Sequence, residues 1–345
     1  MIWIRADANK KIGAGHVMRC MTIAKALKRL GREVCFLVSD DSAVELLEAN
    51  GQNYRVLNVD YTNLCEELPI ITSLLEKEQP KLCLVDSYYA TADYLEKLGE
   101  HTKVVYMDDL GSFSYPADVM INYNIFAEQL PYLQNAARTD MQFLLGLSYA
   151  PLRDEFCAHS IKTIRDKAEK VLITTGGSDQ YNLAGRLLIE FMRLEDTRCL
   201  EYHVVCGAFN ENRELLERMQ MQYPQIHIHC NVKNMAELMQ QCDVAITAAG
   251  ATVYELCAVG IPFICFSFAE NQEKQVEALV AKEMICFGGN YLDKKEALFD
   301  DIAQNLNRLI HNKRAREAYS IKERQLVDGQ GAMRIAQTLC DLGNR

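Results

Sequence analysis

The sequence predicts an α/β protein made of two doubly wound domains with parallel sheets. Short apolar segments alternate with amphipathic helical segments, and the alternation starts again near residue 170. A chain of 345 residues is also longer than one hydrophobic core usually supports. We expect domains at residues 1–157 and 158–345, joined through the polar segment 151–167, with a ligand cleft between them. The last helix is free to pack back on the first domain.

Six apolar segments in the first half are typical of buried strands. They lie at residues 1–6, 33–38, 53–57, 82–86, 104–108 and 119–122. Helical patterns at residues 17–30, 43–50, 64–78 and 92–98 separate them. Strands joined by helices run parallel, so we expect one sheet covered by helices on both faces.

The second half repeats this rhythm. Predicted strands lie at residues 170–174, 202–206, 226–229, 244–247 and 262–268. Predicted helices lie at residues 182–193, 210–222 and 235–240, and two more close the chain at residues 312–323 and 332–342. The repetition predicts a second doubly wound domain.

The first predicted strand passes into the first helix through a glycine-rich turn, Gly13-Ala14-Gly15-His16. Glycines allow a tight turn, and the free N–H groups of a helix start favour a negatively charged ligand. The helix dipole should favour a neutral imidazole, the form that a general base needs. His16 is therefore a candidate general base, and the alternative is a histidine that only caps or packs the turn.

Composition narrows the possible functions. The net charge is −10 and no long basic run is present, which argues against nucleic-acid binding. The 13 cysteines form no C-x-x-C pair and lie mostly in apolar segments, so we interpret them as small buried hydrophobes of a reducing compartment. The sequence shows no secretory signal or membrane-spanning segment. We expect a cytoplasmic protein without a metal ion, cofactor or membrane partner.

Three loops of the second half follow predicted strands, at residues 175–179, 248–255 and 269–273. Ligands of open α/β sheets bind at the carboxyl ends of strands, and bare glycine backbone can hold a diphosphate. Glu255 stands about one turn into a helix, where its carboxylate can accept hydrogen bonds from ribose hydroxyls. The alternative is a plain glycine turn and a surface glutamate. The candidate nucleotide-binding residues are Gly176, Gly177, Ser178, Asn182, Gly250, Thr252, Glu255, Asn271 and Gln272.

Short motifs in both halves carry a family resemblance. They are Arg5-Ala6-Asp7, Gly13-Ala14-Gly15-His16-x-x-Arg19, Asp86-Ser87-Tyr88, Asp108-Asp109, Ser148-Tyr149-Ala150-Pro151-Leu152-Arg153-Asp154-Glu155-Phe156, Gly176-Gly177-Ser178-Asp179-x-x-Asn182-Leu183 and Asn271-Gln272. With two Rossmann-like halves, the chain resembles the GT-B architecture of UDP-sugar enzymes. Within that group it resembles the UDP-sugar hydrolases of pseudaminic acid biosynthesis, although Ser87 stands where a histidine is expected.

The resemblance implies hydrolysis of UDP-2,4-diacetamido-2,4,6-trideoxy-β-L-altropyranose to the free sugar and UDP. It implies a metal-independent reaction in which water attacks the anomeric carbon and inverts it. His16 is the expected base, and the second half is expected to hold UDP. The expected substrate-binding residues are Asp7, Gly13, Gly15, Arg19, Tyr88 and Arg153. For Tyr88, an aromatic ring that only packs on the cleft wall is the alternative.

Three other functions fit the same fold. A GT-B glycosyltransferase needs an acceptor site, and no apolar or basic membrane-facing patch is visible in the sequence. A UDP-sugar epimerase shares the fold, and so does a nucleotide-sugar-binding module without enzymatic activity. The sequence leaves the oligomeric state and the exact sugar open.

Overall fold

The computed structural model describes residues 1–157, 162–207 and 209–344. The chain divides into two compact units, Met1–Leu152 with Gly329–Arg345 and Arg153–Asp328. Each unit contains one parallel sheet, so the predicted α/β class with two doubly wound sheets is confirmed. The boundary predicted between residues 157 and 158 falls beside residues 158–161, which lie outside the described residues.

The first sheet has the strand order β3-β2-β1-β4-β5-β6-β7. Its strands are β1 Ile2–Ala6, β2 Val34–Val38, β3 Asn53–Val56, β4 Leu82–Asp86, β5 Lys103–Met107, β6 Val119–Asn122 and β7 Gln142–Leu145. The helices that follow its first four strands are α1 Gly15–Arg29, α2 Val44–Ala49, α3 Leu68–Glu78 and α4 Ala92–Gly99. The sequence does not predict β7, which has four residues and an incompletely buried edge position.

The second sheet has the strand order β10-β9-β8-β11-β12-β13. Its strands are β8 Lys170–Thr174, β9 Glu201–Cys206, β10 Ile226–Cys230, β11 Val244–Ala248, β12 Phe263–Ser267 and β13 Cys286–Asn290. The helices of this unit are α5 Leu183–Arg193, α6 Arg213–Gln222, α7 Met235–Gln241, α8 Thr252–Val259, α9 Glu273–Ala281, α10 Tyr291–Lys294, α11 Ala297–His311 and α12 Lys313–Arg324.

The last helix, α13 Gly331–Leu342, belongs to the first unit and packs against α1. Its first residue, Gly331, lies very close to the backbone of Ala150. A β-carbon on Gly331 would lie 2.2 Å from the carbonyl oxygen of Ala150. The absence of a side chain therefore lets α13 begin directly on the backbone that ends the first unit's sheet region.

Most strands of both sheets are deeply buried. Those buried at every position are β1, β2, β4 and β6 in the first sheet and β11 and β12 in the second. This is the pattern of parallel strands covered on both faces. The strand order reverses between β1 and β4 and again between β8 and β11, and such reversals open a ligand crevice at the carboxyl ends. His16 follows β1 in sequence, whereas Gly176 and Gly250 follow β8 and β11.

Candidate active site and nucleotide loops

His16 lies at the start of α1 and contacts the last residue of β4. Its Nδ1 is 2.6 Å from Oδ1 of Asp86, and both side chains are buried. Because β1 and β4 are neighbours, the loop after β1 reaches the end of β4 directly. An Nδ1–H that donates to the carboxylate leaves Nε2 with a lone pair. A catalytic base is typically held in place in this way, here with Asp86 orienting the His16 ring.

Arg19 lies one turn further along α1 and makes a bidentate interaction with the same carboxylate. Its Nε donates to Asp86 Oδ2 at 2.6 Å and its Nη2 donates to Oδ1 at 2.5 Å. Burial alone would raise the pKa of Asp86, but Arg19 and His16 hold that pKa well below its ordinary value. Asp86 is thus an ionised acceptor at neutral pH.

Asp109 extends this network beyond β5. It accepts a hydrogen bond from Nη1 of Arg19 at 3.0 Å and another from Nδ2 of Asn124 at 2.8 Å. The neighbouring Asp108 has different partners: it accepts from the backbone N–H of Gly111 and from the hydroxyls of Tyr115 and Tyr132. Adjacent side chains of an extended chain point to opposite faces, which explains the separate roles.

Tyr88 connects Asp109 with the histidine. Its hydroxyl donates to Asp109 Oδ2 at 3.0 Å, and its ring meets the His16 ring edge-on with centroids 4.7 Å apart. The side chain is nevertheless 42% exposed. Burial of its polar end and the charge of Asp109 raise the pKa of Tyr88, so the hydroxyl stays protonated. Its one O–H is committed to Asp109, so the hydroxyl oxygen of Tyr88 can accept a hydrogen bond beside His16.

Asp7, predicted to bind substrate, takes part in a buried internal network. Its Oδ2 accepts from Arg5 Nη1 at 2.6 Å, and its Oδ1 accepts from the backbone N–H of Ser39 at 2.7 Å. Arg5 also donates from Nε to both oxygens of Glu67, at 2.8 and 3.0 Å. The contacts of Asp7 thus join the ends of β1 and β2.

The two glycines of the first turn differ in what they do. Gly13 has φ +72°, and its N–H donates to the carbonyl of Asn9 at 2.8 Å, which closes a tight loop. Gly15 is the exposed first residue of α1, and a β-carbon there would meet open space. Gly13 therefore shapes the turn, whereas Gly15 leaves the approach to the helix start unobstructed.

The loop after β8 contains the exposed Gly176 and Gly177 and the partly exposed Ser178. Gly176 has φ +89°, a conformation that favours glycine. Asp179 closes the loop, since its carboxylate accepts from the backbone N–H of Leu183 at 2.7 Å and of Ala184 at 3.1 Å. Asn182 is left-handed, and its buried Oδ1 has no hydrogen-bond partner among the described residues.

Glu255 and Arg153, predicted to bind different parts of the substrate, lie together. Nη2 of Arg153 donates to Oε1 of Glu255 at 3.0 Å, and its Nη1 is 3.2 Å from Oε1 of Glu155. Glu255 stands in the first turn of α8, just beyond Gly250 and Thr252. Burial raises the pKa of Glu255 and Arg153 opposes that shift. Glu255, predicted to bind the nucleotide, is thus paired with Arg153, predicted to bind the substrate.

The third loop is anchored by the amide side chain of Gln272. Oε1 of Gln272 accepts from the backbone N–H of Phe268 at 2.9 Å, whereas the side chain of Asn271 is exposed. Gln275, which the sequence does not single out, is buried and donates from Nε2 to the carbonyl of Gly250 at 3.1 Å. It links the loops after β11 and β12.

Asp86 and Asp109 belong to motifs that carry the family resemblance, but the sequence does not predict their contacts, and it does not single out Gln275 at all. Asp86 ends a predicted strand, but its contact with His16 depends on β4 pairing with β1, which the residues alone do not specify. Within the described part of the chain, no group of three or more His, Cys, Asp and Glu side chains is arranged to hold a metal ion. Among the described helices, none has the length and apolar character needed to cross a membrane.

Comparison with known proteins adds a domain family and several relatives. Residues 171–338 match the model of the glycosyltransferase family 28 C-terminal domain. An uncharacterised protein of Methanocaldococcus jannaschii, MJ1062, is 28% identical over 79% of this chain, which spans only 57% of that relative's length. The spore coat polysaccharide biosynthesis protein SpsG of Bacillus subtilis is 26% identical over 99% of this chain and 98% of its own length.

A third relative carries the name of an enzyme. The UDP-2,4-diacetamido-2,4,6-trideoxy-beta-L-altropyranose hydrolase of Campylobacter jejuni is 25% identical over 81% of this chain and 96% of its own length.

Solved structures share the fold at low sequence identity. MurG of Acinetobacter baumannii is 13% identical, with a TM-score of 0.68 over 99% of both chains. The spinosyn rhamnosyltransferase SpnG in complex with thymidine diphosphate is 15% identical, with a TM-score of 0.63 over 98% of this chain and all of the other. Residues 171–338 are thus similar to the glycosyltransferase family 28 C-terminal domain, and over most of its length the chain is similar to the Campylobacter jejuni protein named as a UDP-2,4-diacetamido-2,4,6-trideoxy-beta-L-altropyranose hydrolase.

Proposed function

We propose that the protein hydrolyses a UDP-linked diacetamido-trideoxy sugar at the anomeric C–O bond and releases the free sugar and UDP. The observation that carries the proposal is the 2.6 Å contact between His16 Nδ1 and the ionised Asp86. It orients a histidine at the carboxyl edge of a parallel sheet, where ligands of such folds bind. The Campylobacter jejuni relative, named as a hydrolase of this kind of substrate, supports the same choice.

In the proposed reaction His16 is the general base. Its Nε2 takes a proton from water while the water oxygen forms a bond to the anomeric carbon. The bond from that carbon to the diphosphate oxygen breaks, and its electron pair leaves with UDP. Because water attacks opposite the leaving group, the configuration at the anomeric carbon inverts. The carboxylates of Asp86 and Asp109 and the guanidinium of Arg19 lie in the network around His16. Their net charge is negative, which suits a protonated imidazole ring.

UDP is assigned to the second unit. The exposed backbone of Gly176 and Gly177 and the start of α8 at Thr252 offer N–H groups for the diphosphate. Glu255 is the proposed partner of the ribose hydroxyls, with Arg153 positioned beside it to bind phosphate or to hold the carboxylate in place. Arg19 and Tyr88 of the first unit are the proposed sugar contacts.

Incubation of the purified protein with UDP-sugars tests the proposal. We expect UDP and free sugar to appear together without any acceptor, and the His16→Asn variant to release neither at a comparable rate. UDP release that requires an added acceptor would identify a glycosyltransferase instead. A changed UDP-sugar without free UDP would identify an epimerase, and an unchanged bound UDP-sugar would identify a binding module.

A further inference from the structure

Two cysteines face each other at the carboxyl ends of neighbouring strands in the second sheet. Cys206 ends β9 and Cys230 ends β10, and the parallel pairing places them directly in register. Neighbouring strands lie about 4.8 Å apart. That spacing falls within the range of roughly 4.4 to 6.8 Å between α-carbons that a disulfide requires.

Both side chains point to the same face of the sheet. Cys206 belongs to the hydrophobic core formed on that face, and Cys230 is partly buried against the same core. Cys206 itself is only 4% exposed, whereas Cys230 is half-buried and reachable from solvent. Burial and then the neighbouring Cys230 raise the pKa of the Cys206 thiol to about 11. The two thiols thus interact in the reduced protein.

The more accessible thiol lies near a positive charge. Arg213 is the first residue of α6, and its guanidinium interacts electrostatically with both Cys206 and Cys230. Because Cys230 is the more exposed of the two thiols, a dissolved oxidant reaches it first, and Cys206 is placed to react second.

The backbone that follows Cys206 lies against the loop of Gly176 and Gly177 after β8. Gly207 follows Cys206 directly, and a β-carbon on Gly207 would lie 2.3 Å from the carbonyl oxygen of Gly177 and 2.7 Å from that of Gly176. The backbone N–H of Phe209 donates to the same Gly177 oxygen at 3.1 Å. Because these backbones touch, a shift at the end of β9 displaces the loop after β8.

We propose that Cys206 and Cys230 are an oxidisable pair whose disulfide weakens nucleotide binding at the Gly176-Gly177 loop. The effect on binding rests on the proposed function, whereas the formation of the disulfide does not. The oxidant is a peroxide. The sulfur of Cys230 attacks one peroxide oxygen: an S–O bond forms, the O–O bond breaks, and the leaving hydroxide takes the Cys230 thiol proton to become water. The sulfur of Cys206 then attacks the Cys230 sulfur: the S–S bond forms, the S–O bond breaks, and the leaving hydroxide takes the Cys206 thiol proton as a second water. Two electrons thus pass from the two thiols to the peroxide.

The test uses the full-length protein, fully reduced and then treated with hydrogen peroxide. After free thiols are alkylated, peptide mapping by mass spectrometry should show the Cys206 and Cys230 peptides joined, and dithiothreitol should separate them. Calorimetric titration should show UDP binding weakened by about tenfold in the oxidised protein and restored by dithiothreitol. The Cys230→Ser variant should lose both the link and the response to peroxide. The matched variant at an exposed cysteine outside the pair, Cys199→Ser, should keep both.

The possible failures are distinguishable. If the two peptides stay unlinked under peroxide while Cys230 is oxidised alone, the pair does not form and the inference is wrong. If the link forms but UDP affinity is unchanged, the connection to the glycine loop is refuted. If the reduced protein binds no UDP, the nucleotide assignment of the second unit fails, while peptide mapping still decides whether the disulfide forms.

Discussion

The Asp86 carboxylate receives two side chains from consecutive turns of α1, and both reach its Oδ1 atom. His16 approaches it at 2.6 Å and Arg19 at 2.5 Å. Arg19 keeps the carboxylate ionised and fixed in place, and Asp86 in turn fixes the imidazole ring. A histidine held in this way has one nitrogen committed to the carboxylate and the other available to react.

Replacing the histidine should separate catalysis from binding. The His16→Asn variant keeps a polar side chain but loses the proton acceptor, so we expect kcat to fall by about 10² to 10⁴-fold while UDP affinity changes little. Steady-state release of UDP and calorimetric UDP titration measure the two quantities. The same exchange at an exposed histidine of the first unit, His101→Asn, is the matched control and should keep its activity. Near-normal turnover of His16→Asn would remove the histidine from the mechanism.

Glu255 should affect nucleotide binding rather than the chemical step. Removing its carboxylate in Glu255→Ala eliminates the proposed ribose hydrogen bonds, and we expect UDP binding to weaken by about 1–3 kcal/mol. Calorimetry with UDP and a kcat measurement at saturating substrate check both parts. If the affinity stays the same, Glu255 serves only as the partner of Arg153.

The residues of the site show what a sequence can and cannot specify. The glycine turn places His16 at a helix start through local patterns, so its position could be predicted. Its partner Asp86 lies 70 residues further along the chain, and their contact depends on the order of strands in the sheet. For the same reason Arg153 and Glu255, which are 102 residues apart, could be proposed as separate ligands but not as a pair.

Among the elements, periodicity predicted some but not all: α9 and α11 are absent from the predicted helices, although α11 has a regular buried apolar face. α5 has a buried face of Leu183, Leu187 and Leu188, and the predicted range 182–193 agrees with the observed helix. β13 escaped prediction because it contains Gly288 and Gly289, which are poor strand formers. Gly288 is needed there, since a β-carbon would lie 2.6 Å from the side chain of Ile302 in α11.

Helix α12 carries a buried carboxyl that should make stability depend on pH. Glu323 is fully buried in the helix that packs against α8, and neither oxygen has a hydrogen-bond partner among the described residues. Burial raises its pKa well above the ordinary 4.5. Between those two pKa values the folded state holds a proton that the unfolded state has lost. The free energy of unfolding therefore falls as pH rises above about 4.5.

The Glu323→Gln variant removes this titration. We expect similar stability of variant and parent at pH 4.5, and an advantage of the variant of about 1 kcal/mol or more at pH 8. Thermal or urea unfolding at both pH values measures it. Glu317→Gln, on the exposed side of the same helix, should show no such pH-dependent gain. An equal effect of both substitutions would mean that Glu323 is not held neutral by burial.

At the scale of the whole molecule, the repeated alternation of strands and helices was sufficient to predict two parallel sheets. Both sheets share the order of their first six strands, with the first and fourth paired in each. Strand order follows from packing between distant segments, so the sequence pattern leaves it open. The sequence left open whether the last helix packs on the first unit, and α13 does so. Gly331 allows this packing because it has no side chain to collide with the backbone of Ala150.

The contact between Gly331 and Ala150 predicts that a side chain at position 331 lowers the stability of the first unit. In Gly331→Ala the new methyl group meets the backbone of Ala150, which must move, and we expect a loss of about 1–3 kcal/mol in the free energy of unfolding. Gly343→Ala is the matched control near the end of α13, because its β-carbon would lie at an ordinary 3.5 Å from its neighbours. Urea unfolding compares the two variants. Equal stabilities would show that α13 does not depend on the close approach at its first residue.

The fate of the attacking oxygen tests the proposed hydrolysis most directly. In H₂¹⁸O the label should enter the released sugar, because water attacks the anomeric carbon and the sugar C–O bond breaks. NMR recorded before mutarotation should show the inverted anomer as the first product. Label found in UDP would mean attack at phosphorus and would contradict a mechanism in which His16 activates water at the anomeric carbon.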